Sequence, residues 1–114
     1  MKKPWYLNSG CSRHMTGDEN LFQELDRNRE GSVTFGDNSK WVIQGIGTIG
    51  NNSQTQIKHI LFVEGLKHNL LSISQLCDNG FRVCFDTHAC YVIDSNTNQV
   101  IYIGKGMRMC MSFT

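Results

Sequence analysis

A single proline, Pro4, stands among the 114 residues, and no low-complexity tract is present. With 39% hydrophobic residues, this excludes proline-rich spacers and a disordered chain. Charge of one sign is lacking as well: 11 Lys+Arg against 10 Asp+Glu leaves a net +1. A basic nucleic-acid module is therefore disfavoured, because its affinity rests on neutralising phosphates. Long apolar runs are missing, since no purely aliphatic or aromatic run is longer than Ile60 to Val63, whereas a membrane helix needs ~20 residues. The opening Met1-Lys2-Lys3-Pro4-Trp5 has basic residues without an apolar stretch behind them and does not read as a signal peptide. The five cysteines (Cys11, Cys77, Cys84, Cys90 and Cys110) form no C-x-x-C pair, which points to free thiols in a reducing compartment. With no repeat and no internal linker, residues 1–114 are expected to form one domain. A chain of this size buries only roughly two-thirds of its unfolded surface, so a partner subunit would add stability.

What is present is mostly strand signal. Trp5-Tyr6-Leu7 is a short apolar run that breaks at Asn8-Ser9-Gly10. Ser32 to Phe35 alternates and meets the turn cluster Gly36-Asp37-Asn38-Ser39. Trp41 to Ile49 resumes strand character, with Gly45 and Gly47 marking a close backbone approach or a bulge. A turn at Gly50-Asn51-Asn52-Ser53 precedes a strand from Ile57 to Val63. Phe81 to Phe85, Tyr91 to Asp94 and Val100 to Ile103 are further strands, and Met107 to Phe113 alternates enough to pair with a second copy or with Pro4 to Leu7. Glu19 to Leu25 reads as a short helical turn with Leu21, Phe22 and Leu25 on one side. Leu70 to Cys77 is the convincing helix, with Ser72 placed to cap its start and Gly80 to end it.

The run Trp5-Tyr6-Leu7-Asn8-Ser9-Gly10-Cys11-Ser12-Arg13-His14-Met15-Thr16-Gly17 resembles the protease start of copia-type retrotransposon polyproteins. There an apolar run leads into Asp-Ser-Gly. Further matches follow in the same order: Val33-Thr34-Phe35-Gly36-Asp37-Asn38, Gly45-Ile46-Gly47, and Leu66-Lys67-His68-Asn69-Leu70-Leu71-Ser72-Ile73-Ser74-Gln75-Leu76. The resemblance covers about Trp5 to Asp94 and is therefore more specific than any one motif. It implies an all-β, retropepsin-like closed β fold with one short helix, working as a homodimeric aspartic endopeptidase that processes its own polyprotein. One active-loop motif per chain supplies half a catalytic dyad, and a twofold dimer supplies the rest. The implied site is Asn8, Ser9 and Gly10 at the catalytic loop, Leu70, Leu71 and Ser72 supporting it, and Phe35, Gly36, Asp37, Asn38 and Ser39 as the substrate-binding flap. Gly45 to Gly47 is the competing flap position; the Gly-Asp-Asn-Ser cluster is the stronger hairpin turn. The implied partners are a second copy and extended peptide segments of the polyprotein, with no membrane, nucleic acid, cofactor or metal. The implied location is cytoplasmic, within virus-like particles.

The family's catalytic Asp is missing, for position 8 is Asn. Two close carboxylates in such enzymes share one proton, whereas an amide is nearly isosteric yet has no proton to titrate. The fold is expected to survive and the chemistry to stop. The intact remainder of the motif favours a deliberate inactivation that prevents self-cleavage over a decayed element or one recruited for binding. A non-catalytic dimer that grips extended peptides is the alternative function.

Other chemistry-bearing residues have plainer readings. Cys11, His14, His88 and Cys90 lack the usual paired spacing of zinc ligands. His14 is expected to hydrogen-bond locally, Cys11 to fill a small buried slot, and Cys77, Cys84 and Cys90 to pack in the core. His59 and His68 adjoin no nucleophile motif. Asp18, Asp37 and Asp86 sit in turn-like contexts, and Asp37 is equally a substrate contact or a plain turn former. Trp5 and Tyr6 suit the core or a dimer interface.

Overall fold

A computed structural model describes residues 3–28, 31–50 and 55–109. In chain order the strands are β1 (Trp5–Asn8), β2 (Met15–Thr16), β3 (Phe22–Asp26), β4 (Ser32–Thr34), β5 (Lys40–Val42), β6 (Gly45–Ile49) and β7 (Ile57–Phe62). There follow β8 (Asn69–Ser72), helix α1 (Ile73–Asp78), β9 (Phe81–Phe85), β10 (Cys90–Asp94), β11 (Val100–Lys105) and β12 (Arg108–Met109). The fold is all-β with one short helix. The chain divides into two compact units, residues 3–14 with 68–109 and residues 15–67.

In the first unit the strand order is β8-β1-β12-β11-β10-β9. The apolar run at the start of the chain becomes β1 with strict alternation, Trp5 and Leu7 buried and Tyr6 and Asn8 half-buried. On one side β1 runs parallel to β8 in the register Trp5↔Asn69, Tyr6↔Leu70, Leu7↔Leu71 and Asn8↔Ser72. On the other it is antiparallel to β12, Trp5↔Met109 and Tyr6↔Arg108, and Leu7 N–H donates to the Met107 carbonyl at 2.8 Å. The pairing expected of Met107 onward with Pro4 to Leu7 is thus made within one chain, and residues 110–113 of that stretch lie outside the described residues. Trp5, Leu7, Leu71, Leu76, Cys90, Val92, Tyr102 and Met109 form the buried apolar set of this unit.

Helix α1 begins at Ser72, whose side chain accepts the Gln75 N–H at 3.1 Å. It ends at Asn79, whose N–H donates to the Gln75 and Leu76 carbonyls, and Gly80 follows at φ +92°, the left-handed conformation that glycine adopts freely. Only one side of α1 is covered, with Gln75 and Leu76 buried and Cys77 exposed. Cys84 is exposed on β9, the edge of the ladder. The core positions expected for Cys77 and Cys84 are therefore corrected, while Cys90 is fully buried; Cys110 lies outside the described residues.

In the second unit the order is β3-β6-β7-β2, with β4 and β5 forming a separate antiparallel hairpin. Met15, Ile49, Ile57, Ile60, Leu61, Phe62 and Val63 are buried there. Two expectations change. Glu19–Leu21 is a single 3-10 turn capped by Asp18, and Phe22–Asp26 leaves it as a strand. The helical spacing of Leu21, Phe22 and Leu25 loses to pairing with β6, where Phe22 opposes Ile49 and Leu25 opposes Gly47. The stretch Trp41 to Ile49 breaks in two at Ile43 and Gln44, whose N–H groups donate to Gly31 and Phe62. Of the turn expected at Gly50-Asn51-Asn52-Ser53, residues 51–53 lie outside the described residues, and Gly50 has φ +110°.

Gly47 shows why β6 carries glycine. A Cβ built there meets the Glu24 backbone oxygen and lies 2.7 Å from Phe22 Cδ1, whereas at Gly36 it meets nothing within 4 Å. We expect Gly47→Ala to destabilise the protein by ~1–3 kcal/mol, the usual cost of overpacking, and Gly36→Ala to leave it unchanged. Urea denaturation of both variants checks this, and equal midpoints would remove the close-approach account.

Candidate functional site

The residues singled out around position 8 converge in the first unit. Asn8 is the last residue of β1 and is half-buried, with Ser9 and Gly10 exposed in the turn beyond it. Asn8 Oδ1 accepts the Gly10 N–H at 2.7 Å, a short turn made by the side chain itself. The strand pairing places Ser72 opposite Asn8, and Leu71 and Ser72 are buried while Leu70 is half-buried. Asn8, Leu71 and Ser72 are thus held by one ladder. Cys11 is half-buried, its Sγ 3.8 Å from the Asn8 carbonyl. Burial raises the Cys11 thiol above its ordinary pKa, so it remains a thiol rather than a nucleophilic thiolate.

Behind the loop lies a set of buried polar side chains, His14, Asn69, Ser72 and Gln75, of which only His14 and Ser72 carry an expectation of their own. Ser72 Oγ donates to the Cys11 carbonyl at 2.8 Å, lies 3.0 Å from Ser74 Oγ, and accepts from Gln75 N–H. Ser72 N–H donates to His14 Nδ1 at 2.8 Å, and His14 N–H donates to Gln75 Oε1 at 2.8 Å. His14 is buried and bonded 58 residues along the chain, which corrects the local bond expected of it. Asn69 is also buried, with Nδ2 at 3.4 Å from the Lys3 carbonyl. Ser72 is legible as a helix cap, and Gln75 has the signal of its placement between the buried Leu71 and Leu76.

The candidate flap residues belong to the second unit. Phe35 to Ser39 closes the β4–β5 hairpin: Phe35 N–H donates to the Ser39 carbonyl, Asn38 N–H donates to the Phe35 carbonyl, and Asn38 has φ +66°. Gly36, Asp37 and Asn38 are exposed at the tip, and Phe35 and Ser39 are half-buried. Gly45 and Gly47 lie within β6. Asp37 Oδ1 accepts both Ser39 N–H (3.0 Å) and Ser39 O–H (2.6 Å), and Trp41 Nε1 donates to Ser39 Oγ at 3.3 Å. Trp41 meets Phe35 edge-on at 6.1 Å, and a Cβ at Gly65 would lie 3.0 Å from the Trp41 ring.

Elsewhere, Asp86 accepts from His88 N–H, Ala89 N–H and Tyr91 O–H, which holds its carboxyl below the ordinary range. His68 meets the Tyr6 ring edge-on, and His59 is exposed on β7 at φ +62°. Among the described residues, no group of three or more His, Cys, Asp or Glu side chains is placed to hold a metal ion.

An all-β scaffold that presents a short polar loop at the end of a parallel strand pair is the class these features define. The profile of the family described as "Pol polyprotein, beta-barrel domain" matches residues 5–81, and the chain belongs to that family. It is 30% identical over 106 residues to the "Retrovirus-related Pol polyprotein from transposon RE1" of Arabidopsis thaliana. The match covers 89% of this chain and 7% of that polyprotein. The chain is thus a domain related to retrotransposon Pol polyproteins. No solved structure matches it.

Two outcomes follow from the bonds around these loops. The Ser39 hydrogen bonds lower the Asp37 pKa, so they are complete above the ordinary carboxylate range and lost as pH falls through the lowered value. Acid titration is expected to shift the Ser39 amide resonance and Trp41 fluorescence together, and Asp37→Asn to abolish that response; a flat response in the parent protein would exclude this turn. Ser72→Ala removes a helix cap and the bond to Cys11, for an expected loss of about 1–2 kcal/mol in urea denaturation.

Proposed function

We propose that this chain is the retropepsin-type aspartic endopeptidase domain of a copia-type retrotransposon polyprotein, inactive as written because of Asn8. The observation that carries the reading is the Asn8 turn. Its side-chain oxygen is fixed by Gly10 N–H at 2.7 Å, at the end of a strand held by Ser72. A carboxylate there would have one oxygen held by the same N–H and the other free to face a second copy. With Asn8→Asp in both chains of a twofold homodimer, the two carboxyl groups share one proton. The ionised one takes a proton from water as the water oxygen attacks the peptide carbonyl carbon. The protonated one donates to the carbonyl oxygen. Asn8 performs neither step. The setting would be the cytoplasmic particle in which that polyprotein is packed.

Asn8 also favours a second reading, a dimer that holds extended peptides by strand-like bonds without cutting them. One substitution separates the two. We expect Asn8→Asp to cleave peptides spanning its own polyprotein junctions at least about a hundredfold faster than the parent, the low end of general acid–base catalysis. Activity is expected to favour acid pH, and sedimentation should show a dimer tighter at mildly acidic than at alkaline pH, where two carboxylates repel. A folded Asn8→Asp dimer that leaves those junctions intact from acid to neutral pH would overturn the protease reading in favour of the binding module.

A further inference from the structure

His14 is 1% exposed and closes the loop that Asn8 opens. Its Nδ1 stands 2.8 Å from Ser72 N. A backbone N–H only donates, so Nδ1 presents its lone pair, and the ring proton of the neutral imidazole resides on Nε2. The loop is thereby tied to a single turn of chain at several points. Asn8 is the register partner of Ser72, the Cys11 carbonyl accepts from Ser72 Oγ, and His14 engages Ser72 with its ring and Gln75 with its backbone. Without the imidazole acceptor, the buried Ser72 N–H would have to find water or another carbonyl, and β8 would shift to reach it. Asn8 sits directly across that strand.

We infer that His14 is a positioning residue for the Asn8–Gly10 loop, acting through its Nδ1 lone pair on Ser72 N–H. It touches no reacting atom; it sets where β8 ends and therefore where the side chain at position 8 stands. This rests on the protease reading only in giving that side chain a catalytic task. The acceptor geometry makes the role specific. Asparagine carries its acceptor Oδ1 on Cγ, as histidine carries Nδ1, whereas the glutamine Oε1 is one bond further out. Asparagine at position 14 can hold Ser72 N–H, and glutamine and leucine cannot.

The test uses the unaltered chain, then His14→Asn, His14→Gln and His14→Leu, each alone and with Asn8→Asp. In the unaltered chain a coupling across the hydrogen bond between His14 Nδ1 and Ser72 N is expected in nitrogen-15 spectra, and its absence overturns the proposal. His14→Asn is expected to keep Ser72 amide protection and the Ser9 and Gly10 resonances. His14→Gln and His14→Leu should lose about tenfold in Ser72 protection, in line with a buried donor losing its partner, and displace both resonances. With Asn8→Asp, the Gln and Leu variants should lower kcat and leave KM little changed, and the Asn variant should restore kcat. If all three variants behave alike while folded, His14 merely fills space and the proposal fails. Should none of them fold, Gln75→Leu, which takes away the acceptor of His14 N–H from outside the loop, is expected to displace the same Ser9 and Gly10 resonances; unmoved resonances also overturn it. Should Asn8→Asp alone cut nothing, the protease reading fails, and the amide and resonance measurements still decide the role of His14.

Discussion

The parallel pairing of β1 with β8 is the constraint on which the candidate site depends. Parallel strands cannot be joined by a tight turn and need a long connection. Here the connection is the whole of residues 9–68, which includes the second unit. The pairing brings Asn8 opposite Ser72, and the Cys11 carbonyl and the His14 ring are both bonded to that same residue. Ser72 serves at once as strand terminus, helix cap, donor to the Cys11 carbonyl and donor to His14. No buried side-chain nitrogen or oxygen among the described residues lacks a partner. Buried polar networks are costly when half satisfied, so a fully satisfied one fixes a single geometry.

The scaffold and the chemistry separate cleanly at position 8. The hydrogen bond of the Asn8 side chain to Gly10 uses its acceptor oxygen, and an amide supplies that as well as a carboxylate does. Catalysis of the proposed kind uses the proton and the charge, which an amide lacks. A chain of this family can therefore keep the geometry of this loop whether position 8 carries an amide or a carboxylate.

The β4–β5 hairpin is locally self-sufficient in a different way. Its turn is held by Asp37, Ser39 and Trp41 through contacts spanning a few residues, and its rings meet each other edge-on. Such short-range bonding is legible from composition, because Gly, Asp, Asn and Ser each favour turns for a stated stereochemical reason. The Asn8 loop differs, since to its own Asn8–Gly10 turn it adds partners from positions 72 and 75.

That contrast decides what could be read in advance. Alternation and turn residues were enough to determine the strand-rich class, β9, the Ser72 cap and Gly80 end of α1, and the hairpin turn from Phe35 to Ser39. These depend on backbone stereochemistry within a few residues. The motif around Asn8 pointed to the loop for the same local reason. Only the tertiary structure decided that Phe22 to Asp26 is a strand, because β6 offers hydrogen-bond partners that helical spacing cannot outweigh. It alone decided that Cys77 and Cys84 face outward, because a helix and an edge strand each bury one side. It alone found His14 bonded to Ser72, because a pairing across 58 residues leaves no periodic trace in the chain.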